Sequence, residues 1–315
     1  MKILITGFSD FGAYHITHEL RKSMQFITAA DLLAKLLSDM GHTIFRGVPV
    51  MNVFDFDVII ITCVSPNSSH AKYTKEMIQC LQHKNVILLM DDRRVKKHIS
   101  GLAKLSALNQ CSNRKFKMLC TTITDGCPEV QKVLDERNLS NIQAISFNPT
   151  SIMLDVLGVH TMAPQQQVFH KQKQWICTSL PDITKSMRQK YPLTWPVKYY
   201  NKNNFKSEAQ LCIEDYQESA GMIVDYCDDS IPNWWRTRYM HAMIYEMLLL
   251  TDTQDIQDGH EIFAAAKDLL FIQSGIVSNG YLTSAIMQQK LYFLSHAPTM
   301  TALQEKFSKI LKDKA

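Results

Sequence analysis

The chain lacks any apolar run approaching the roughly 20 residues that cross a bilayer. Its longest runs, DVIIITCV and MIYEMLLL, end far short, so no membrane segment is expected. The opening MKILITGFSDFG has one lysine, a very short apolar stretch and no small-residue cleavage site, which is unlike a signal peptide. Eight cysteines are scattered without a C-x-x-C pair, and this argues against a zinc site or a disulfide framework. They are expected to be reduced thiols in a cytoplasm, several acting as small hydrophobes inside apolar runs. Also missing are the G-x-G-x-x-G dinucleotide fingerprint, a P-loop, a nucleophile elbow, tandem repeats and low-complexity tracts, so a dinucleotide oxidoreductase loses ground. Excess charge of one sign is slight, +4 over 315 residues. Attraction to nucleic acid must therefore come from a local patch.

What is present is the composition of a folded soluble protein, 46% hydrophobic and 20% charged, long enough for two domains that each bury a core. The first half alternates short Ile/Val-rich runs (2–7, 42–47, 57–64, 85–90, 115–120, 143–147) with helical patterns near 26–40, 70–82 and 128–137. That alternation predicts βαβ units and a parallel sheet covered on both faces. Residues 147–172, with two prolines, three successive glutamines and no sustained period, predict a connection between lobes. The alternation then restarts, with strands at 174–180, 196–201 and 221–227 around an acidic helix at 207–219. From Asn233 onward the chain is expected to be mostly helical and to end in a surface helix. The fold class is thus α/β: two facing, Rossmann-like, doubly wound lobes with an interlobe cleft and C-terminal helices. Residues 1–150 form the first lobe, 173–295 the second, and 296–315 a helix returning toward the first. Ligands bind such sheets at the carboxyl ends of the strands.

Two stretches carry candidate chemistry. In DDSIPNWWRTRYMHAMIYEMLLLTD, residues 228–252, Trp234, Trp235, Arg236 and Arg238 crowd the start of an apolar helix for which Asn233 is the expected cap. A helix start, its dipole and guanidinium forks favour a phosphate. His241, three residues after Arg238, shares its face and can reach a ribose hydroxyl, while Trp234 or Trp235 offers a stacking surface. The structural alternative pairs the arginines with Asp225, Asp228 or Asp229 and uses the tryptophans to plug the seam between lobes. In VILLMDDRRVKKH, residues 86–98, Asp91 and Asp92 follow a strand, where a general base is needed. Arg93, Arg94, Lys96, Lys97, Lys104, Arg114, Lys115 and Lys117 then follow with no intervening acid, a run suited to a nucleic-acid backbone or to a solvated helix face. His15 and His18, with Glu19 adjacent, have the i, i+3 spacing that metal ligands can use, but spacing identifies no third ligand, so no metal site is assigned. SPNSSH, residues 65–70, is polar enough to hold a sugar or phosphate, or to cap a helix.

The order of elements resembles the GT-B glycosyltransferases and, within them, the phage DNA β-glucosyltransferases that modify 5-hydroxymethylcytosine. The stretches that carry the likeness are MKILIT, AADLLAKLLSDMGHTI, FDFDVIIITCVS, VILLMDDRR, ISFNPTSI and RTRYMHAMIYEMLLLTD. In that family an aspartate in a T-D-I-R context is the proposed base, and the matching position here is Asp92, with Asp91 beside it. The family's R-x-x-E contact to uridine diphosphate reads here as Arg238, Tyr239, Met240, His241, with the acid replaced. Its donor-lobe loop arginines correspond to TSLPDITKSMRQK, where Lys185 or Arg188 substitutes and Arg236 shares the diphosphate. Gly7, ending the first strand, is grouped with the donor contacts.

The resemblance implies an inverting transfer from a UDP-sugar to the hydroxymethyl group of a flipped pyrimidine in bacteriophage DNA. Asp92 is then the base, the basic run holds double-stranded DNA, and the setting is the infected host's cytoplasm. It implies a monomer with no tightly bound cofactor, UDP-sugar as co-substrate, and Mg2+ assistance left open. Two rivals stand beside it: a GT-B transferase with a non-DNA acceptor, and a non-catalytic two-lobed nucleic-acid-binding protein.

Overall fold

The computed structural model describes residues 1–7, 28–47, 52–62, 74–90, 95–105, 110, 113–159, 171–177, 195–199, 215–224, 233–251 and 279–312. In the first lobe the order is β1 (Lys2–Gly7), α1 (Ala29–Asp39), β2 (Thr43–Arg46), β3 (Val58–Thr62), α2 (Thr74–Leu81), β4 (Val86–Met90) and α3 (Val95–Ala103). It continues with β5 (Phe116–Thr121), α4 (Pro128–Glu136), β6 (Ile142–Phe147) and α5 (Thr150–Val156). The second lobe holds β7 (Gln172–Cys177), β8 (Val197–Tyr199), β9 (Ser219–Val224), α6 (Thr237–Ile244), β10 (Leu248–Thr251) and α7 (Asn279–Ser295), and α8 (Met300–Lys312) ends the described chain.

The six strands of the first sheet run in the order β2-β1-β3-β4-β5-β6 and the four of the second in the order β10-β9-β7-β8. All described pairings within them are parallel. VIIIT and VILLM are buried at every position, as expected of central strands covered on both faces. Strand alternation divides the first lobe's core in two. Ile3, Ile60, Leu89, Leu119 and Phe147 face α1, α5 and α8; Leu4, Ile61, Leu88, Met118 and Cys120 face α3 and α4. In α1, Leu32, Leu33, Leu36 and Leu37 form one buried stripe. Thr28 and Asp31 close its start as a reciprocal capping box. Gly41, at φ 82°, supplies the left-handed turn that ends it.

Among the described residues, an edge strand of each sheet is bonded by a glutamine amide. Gln131 of α4 accepts from Ala144 N (2.9 Å) and donates to Ile142 O (3.1 Å) on β6. Gln289 of α7 accepts from Leu249 N (3.0 Å) and donates to Leu249 O (3.4 Å) on β10. Each amide occupies backbone groups that would otherwise template another chain.

Three expectations are corrected. The stretch 147–172 is not purely a connection, because its first part forms α5. MIYEMLLL is not one helix: α6 stops at Ile244, Glu246 takes φ 50°, and LLLT becomes β10 beside β9. Of the acidic stretch 207–219, Ser219 already belongs to β9, and only 215–219 is described. Among the described residues no helix is long and apolar enough to cross a membrane.

Candidate functional site at the seam between lobes

In each sheet the chain first adds a strand on one side of its initial strand and then crosses to the other. These switch points lie between β1 and β3, where Gly7 pairs with Thr62, and between β7 and β9, where Cys177 pairs with Ile223. Crevices at the carboxyl ends of such pairs are where open α/β sheets take ligands.

The segment before α6 is bound to the carboxyl end of the first sheet. Ile123 N donates to Asn233 O (2.8 Å) and Trp235 N to Thr121 O (3.0 Å), so that Thr122 and Trp234 form an antiparallel bridge. Thr121 Oγ1 in turn donates to Met90 O at 3.4 Å. The last residue of β4, the end of β5 and the start of α6 are therefore linked in sequence, across a distance on the order of 10 Å for two strand spacings. Asp91 and Asp92 come next after Met90; they lie outside the described residues, as do Arg93, Arg94, Lys185, Arg188, His15, His18, Glu19 and residues 65–70.

This bridge explains two successive tryptophans. In an extended segment neighbouring side chains point to opposite faces. Trp234 enters the core on the α3/α4 side and Trp235 the core on the α1/α5/α8 side. Trp235 is 3% exposed and its Nε1 donates to Thr150 Oγ1 at 3.1 Å, the geometry of a seam plug. Contrary to the sequence expectation, Asn233 does not cap the helix; it begins the bridge at φ 60°, and Arg236, in an extended conformation, is the cap residue.

A socket at the start of α5 holds the seam. Asn148 Nδ2 donates to Ile123 O (2.7 Å) and His296 O (3.0 Å), while its Oδ1 accepts from Thr150 N (3.0 Å) and Thr150 Oγ1 (2.6 Å). Ser151 Oγ donates to Pro298 O. The passage from α7 to α8 is thereby fastened beside the Trp235 contact. α8 then lies on the first sheet, with Phe307 edge-on to Phe147 and Lys117 Nζ donating to Ile310 O at 3.0 Å. Sequence reading treated this stretch as connection, although Asn-Pro-Thr carries the signature of an Asn side chain bonding the backbone two residues on.

The cationic residues at the start of α6 are separated by burial. Arg236 is 8% exposed, its guanidinium 5.5 Å from the centre of the Tyr239 ring; Arg238 is half-buried. His241 is 1% exposed and lies against Tyr216, ring centres 5.1 Å apart. Beneath the helix's far end is a cluster that sequence reading missed: Lys290 and Glu246 pair at 2.8 Å, both buried. Lys171 donates to Tyr245 O. Burial pushes the Lys171 ammonium down to about 8, opposed by Glu246, and pushes the Tyr245 phenol up to about 12.

The basic run 93–117 is not one surface. Lys96 and Lys97 are exposed on the first turn of α3, just after β4 and so at the seam end. Lys104 follows the other end of the helix, about 13 Å away, and Arg114 and Lys115 precede β5 at that same remote edge. Arg114 joins loops there, donating to Gln82 O (3.3 Å), His83 O (2.6 Å) and Lys84 O (3.1 Å) and lying over Phe116. Among the described residues no three His, Cys, Asp or Glu side chains converge as a metal site.

Two parallel sheets with matching switch points, bridged at their carboxyl ends and crossed by a terminal helix returning to the first, define the GT-B architecture. The solved structures that share it here are those of T4 phage β-glucosyltransferase, each matched over 99% of this chain and 100% of the other. The structure with UDP and Mn2+ gives a TM-score of 0.63 at 13% identity. A mutant with UDP-glucose gives 0.62 at 13%. The DNA-modifying enzyme with and without uridine diphosphoglucose gives 0.62 at 14%. At these identities the likeness establishes the fold. No family model matches the chain, and no curated protein matches it in sequence.

Proposed function

We propose that this protein transfers a sugar from a UDP-sugar to the hydroxymethyl group of a modified pyrimidine in double-stranded DNA, with inversion at the sugar carbon. The observation that carries the reading is the Met90–Thr121–Trp235 linkage, which ties the strand preceding Asp91 and Asp92 to the cationic start of α6. The full-length likeness to an enzyme solved with UDP-glucose supports the choice of donor.

In this reading Asp92 accepts the proton of the acceptor hydroxymethyl group as its oxygen attacks the anomeric carbon. The bond from that carbon to the β-phosphate oxygen breaks, and charge collects on the leaving diphosphate. Arg238 and the positive end of α6 offset that charge. Arg236, buried beside Tyr239, adds positive potential from behind. Lys185 and Arg188 complete the donor contacts. The acceptor base must leave the duplex stack to enter the cleft, and Arg93, Arg94, Lys96 and Lys97 hold the phosphates beside it. No step is routed through a divalent ion.

The test is to incubate the protein with a panel of UDP-sugars and with hydroxymethylated or plain duplex, then weigh the released nucleosides. A sugar increment confined to the hydroxymethylated base, and lost in Asp92→Asn with DNA binding retained, is the expected result. Equal sugar-nucleotide turnover without DNA would transfer the case to a different acceptor. Binding of DNA with no turnover would make the protein a non-catalytic module.

A further inference from the structure

We propose that the cavity between α8 and the strands β5 and β6 is a binding site for a small phosphate monoester, with three lysines for the phosphate and an apolar shelf for its organic body. The sheet supplies the floor. Lys117 and Gln143 are register neighbours on β5 and β6, and Ile145, two residues beyond Gln143, shares their face. The helix supplies the wall. Leu303, Phe307 and Ile310 are its buried stripe, and Ala302, Glu305, Lys306 and Lys309 form the flank beside it, at the i, i+3, i+4, i+7 spacing of one helix face. Ala302 places only a methyl group on this flank, beside a cavity of about 350 Å³. That is within the roughly 300–1,000 Å³ usual for small-molecule sites.

Charge selects the ligand. Lys117, Lys306 and Lys309 line the cavity against one carboxylate, Glu305. Two of the ammonium groups are held from opposite walls: Lys306 Nζ reaches from α8 to Ser146 Oγ on β6 (3.2 Å), and Lys117 Nζ from β5 to Ile310 O on α8 (3.0 Å). Both of these partners are neutral oxygens, so neither bond cancels a positive charge. Lysines in a last turn also complement the helix dipole, which accounts for Lys309. It does not account for Lys306, which lies mid-helix and reaches to the sheet. Ile145, Ala302 and Ile310 give the shelf its apolar surface. Lys117 and Gln143 are each second in their strands, so the cavity lies toward the amino ends of the sheet, apart from the seam.

The test is an amide NMR titration of the full chain with phenyl phosphate at fixed ionic strength. Expected are saturable shifts at the Gln143 side-chain amide and at the Lys306 and Lys309 N–H groups. Phenyl phosphate should bind about tenfold tighter than inorganic phosphate, the gain expected if the ring covers roughly 60 Å² of apolar surface. Ala302→Leu, at an exposed helix position, fills the shelf without altering a charge and should abolish these shifts. Lys309→Gln, also exposed, should weaken binding about three- to fivefold, and Lys104→Gln should leave it unaltered. Shifts near Arg238 report the proposed donor site instead and should persist in Ala302→Leu, so the two readings fail separately. The proposal is overturned if no saturable shift appears, if binding survives Ala302→Leu, or if inorganic phosphate binds as well as phenyl phosphate. Displacement of phenyl phosphate by plain duplex DNA would assign the lysines to nucleic acid and overturn it equally.

Discussion

Replacing Asn148 with alanine should separate the lobes energetically. Its amide makes four hydrogen bonds, to Ile123 O, His296 O, Thr150 N and Thr150 Oγ1, at 2.6 to 3.0 Å, and the side chain is buried. Alanine removes all four and strands the Ile123 carbonyl and the Thr150 N–H in the interior, with the His296 carbonyl part-buried beside them. At about 1 kcal/mol net per bond, with an added desolvation penalty where a group stays unpaired, the loss comes to about 3 to 5 kcal/mol. Urea denaturation followed by tryptophan fluorescence is the assay, since Trp234 and Trp235 report the seam itself. Because Thr150 joins Asn148 to Trp235, a cycle with Trp235→Phe should show coupling of about 0.5 kcal/mol or more. A loss below about 1 kcal/mol, or strict additivity, would refute the view that this socket clamps the two lobes.

Gly221→Ala should be among the most damaging single-methyl additions in the chain, because a Cβ there would sit 2.3 Å from Trp175 Cζ3 and 2.4 Å from Cε3; a loss of about 3 kcal/mol and a blue-shifted or broadened tryptophan emission are expected. Arg238→Ala should weaken UDP binding by calorimetry about tenfold or more, with Arg238→Lys recovering only part, since an ammonium lacks the fork that grips a diphosphate; unchanged affinity would remove Arg238 from the donor site. Lys171, held down to about 8 against an ordinary 10.5, binds fewer protons folded than unfolded above pH 8. Its contribution should therefore make the protein more stable as pH rises from about 8 toward 10.5, with a slope no steeper than about 1.4 kcal/mol per pH unit, and Lys171→Met should flatten that rise in unfolding titrations. Exchanging Lys96 and Lys97 for alanine should reduce the salt dependence of DNA binding, whereas Lys104→Ala and Lys115→Ala, at the other edge, should leave it unaltered.

Central strands were legible because burial on both faces demands uninterrupted apolar residues. VIIIT and VILLM admit little else, and the expected strands at 57–64 and 85–90 need only trimming to Val58–Thr62 and Val86–Met90. Helices with one wet face, such as Ala29–Asp39, were legible for the complementary reason. MIYEMLLL defeats both signals: a short apolar run fits a buried strand or a buried helix equally well. What decides it is tertiary, the left-handed turn at Glu246 and the place for LLLT beside β9, with Gln289 completing its outer edge. The pairing of Gln131 with β6 was invisible for the same reason, since an amide's partner belongs to another element.

The candidate site divides along a similar line. That carboxylates follow a strand and arginines precede a helix is local, and local order is written in the sequence. Which of two arginines one apart remains accessible is not local. An extended strip puts Trp234 and Trp235 into opposite cores, and Arg236, next along it, is drawn against Tyr239. The helix then turns Arg238 to a half-buried position. One bridge between Thr122 and Trp234 thus fixes three consecutive side chains as seam and leaves the guanidinium two residues further on half-buried, the one the proposed donor site would use. Shifting that bridge by one residue would exchange the faces of both tryptophans, and with them which arginine is buried against Tyr239.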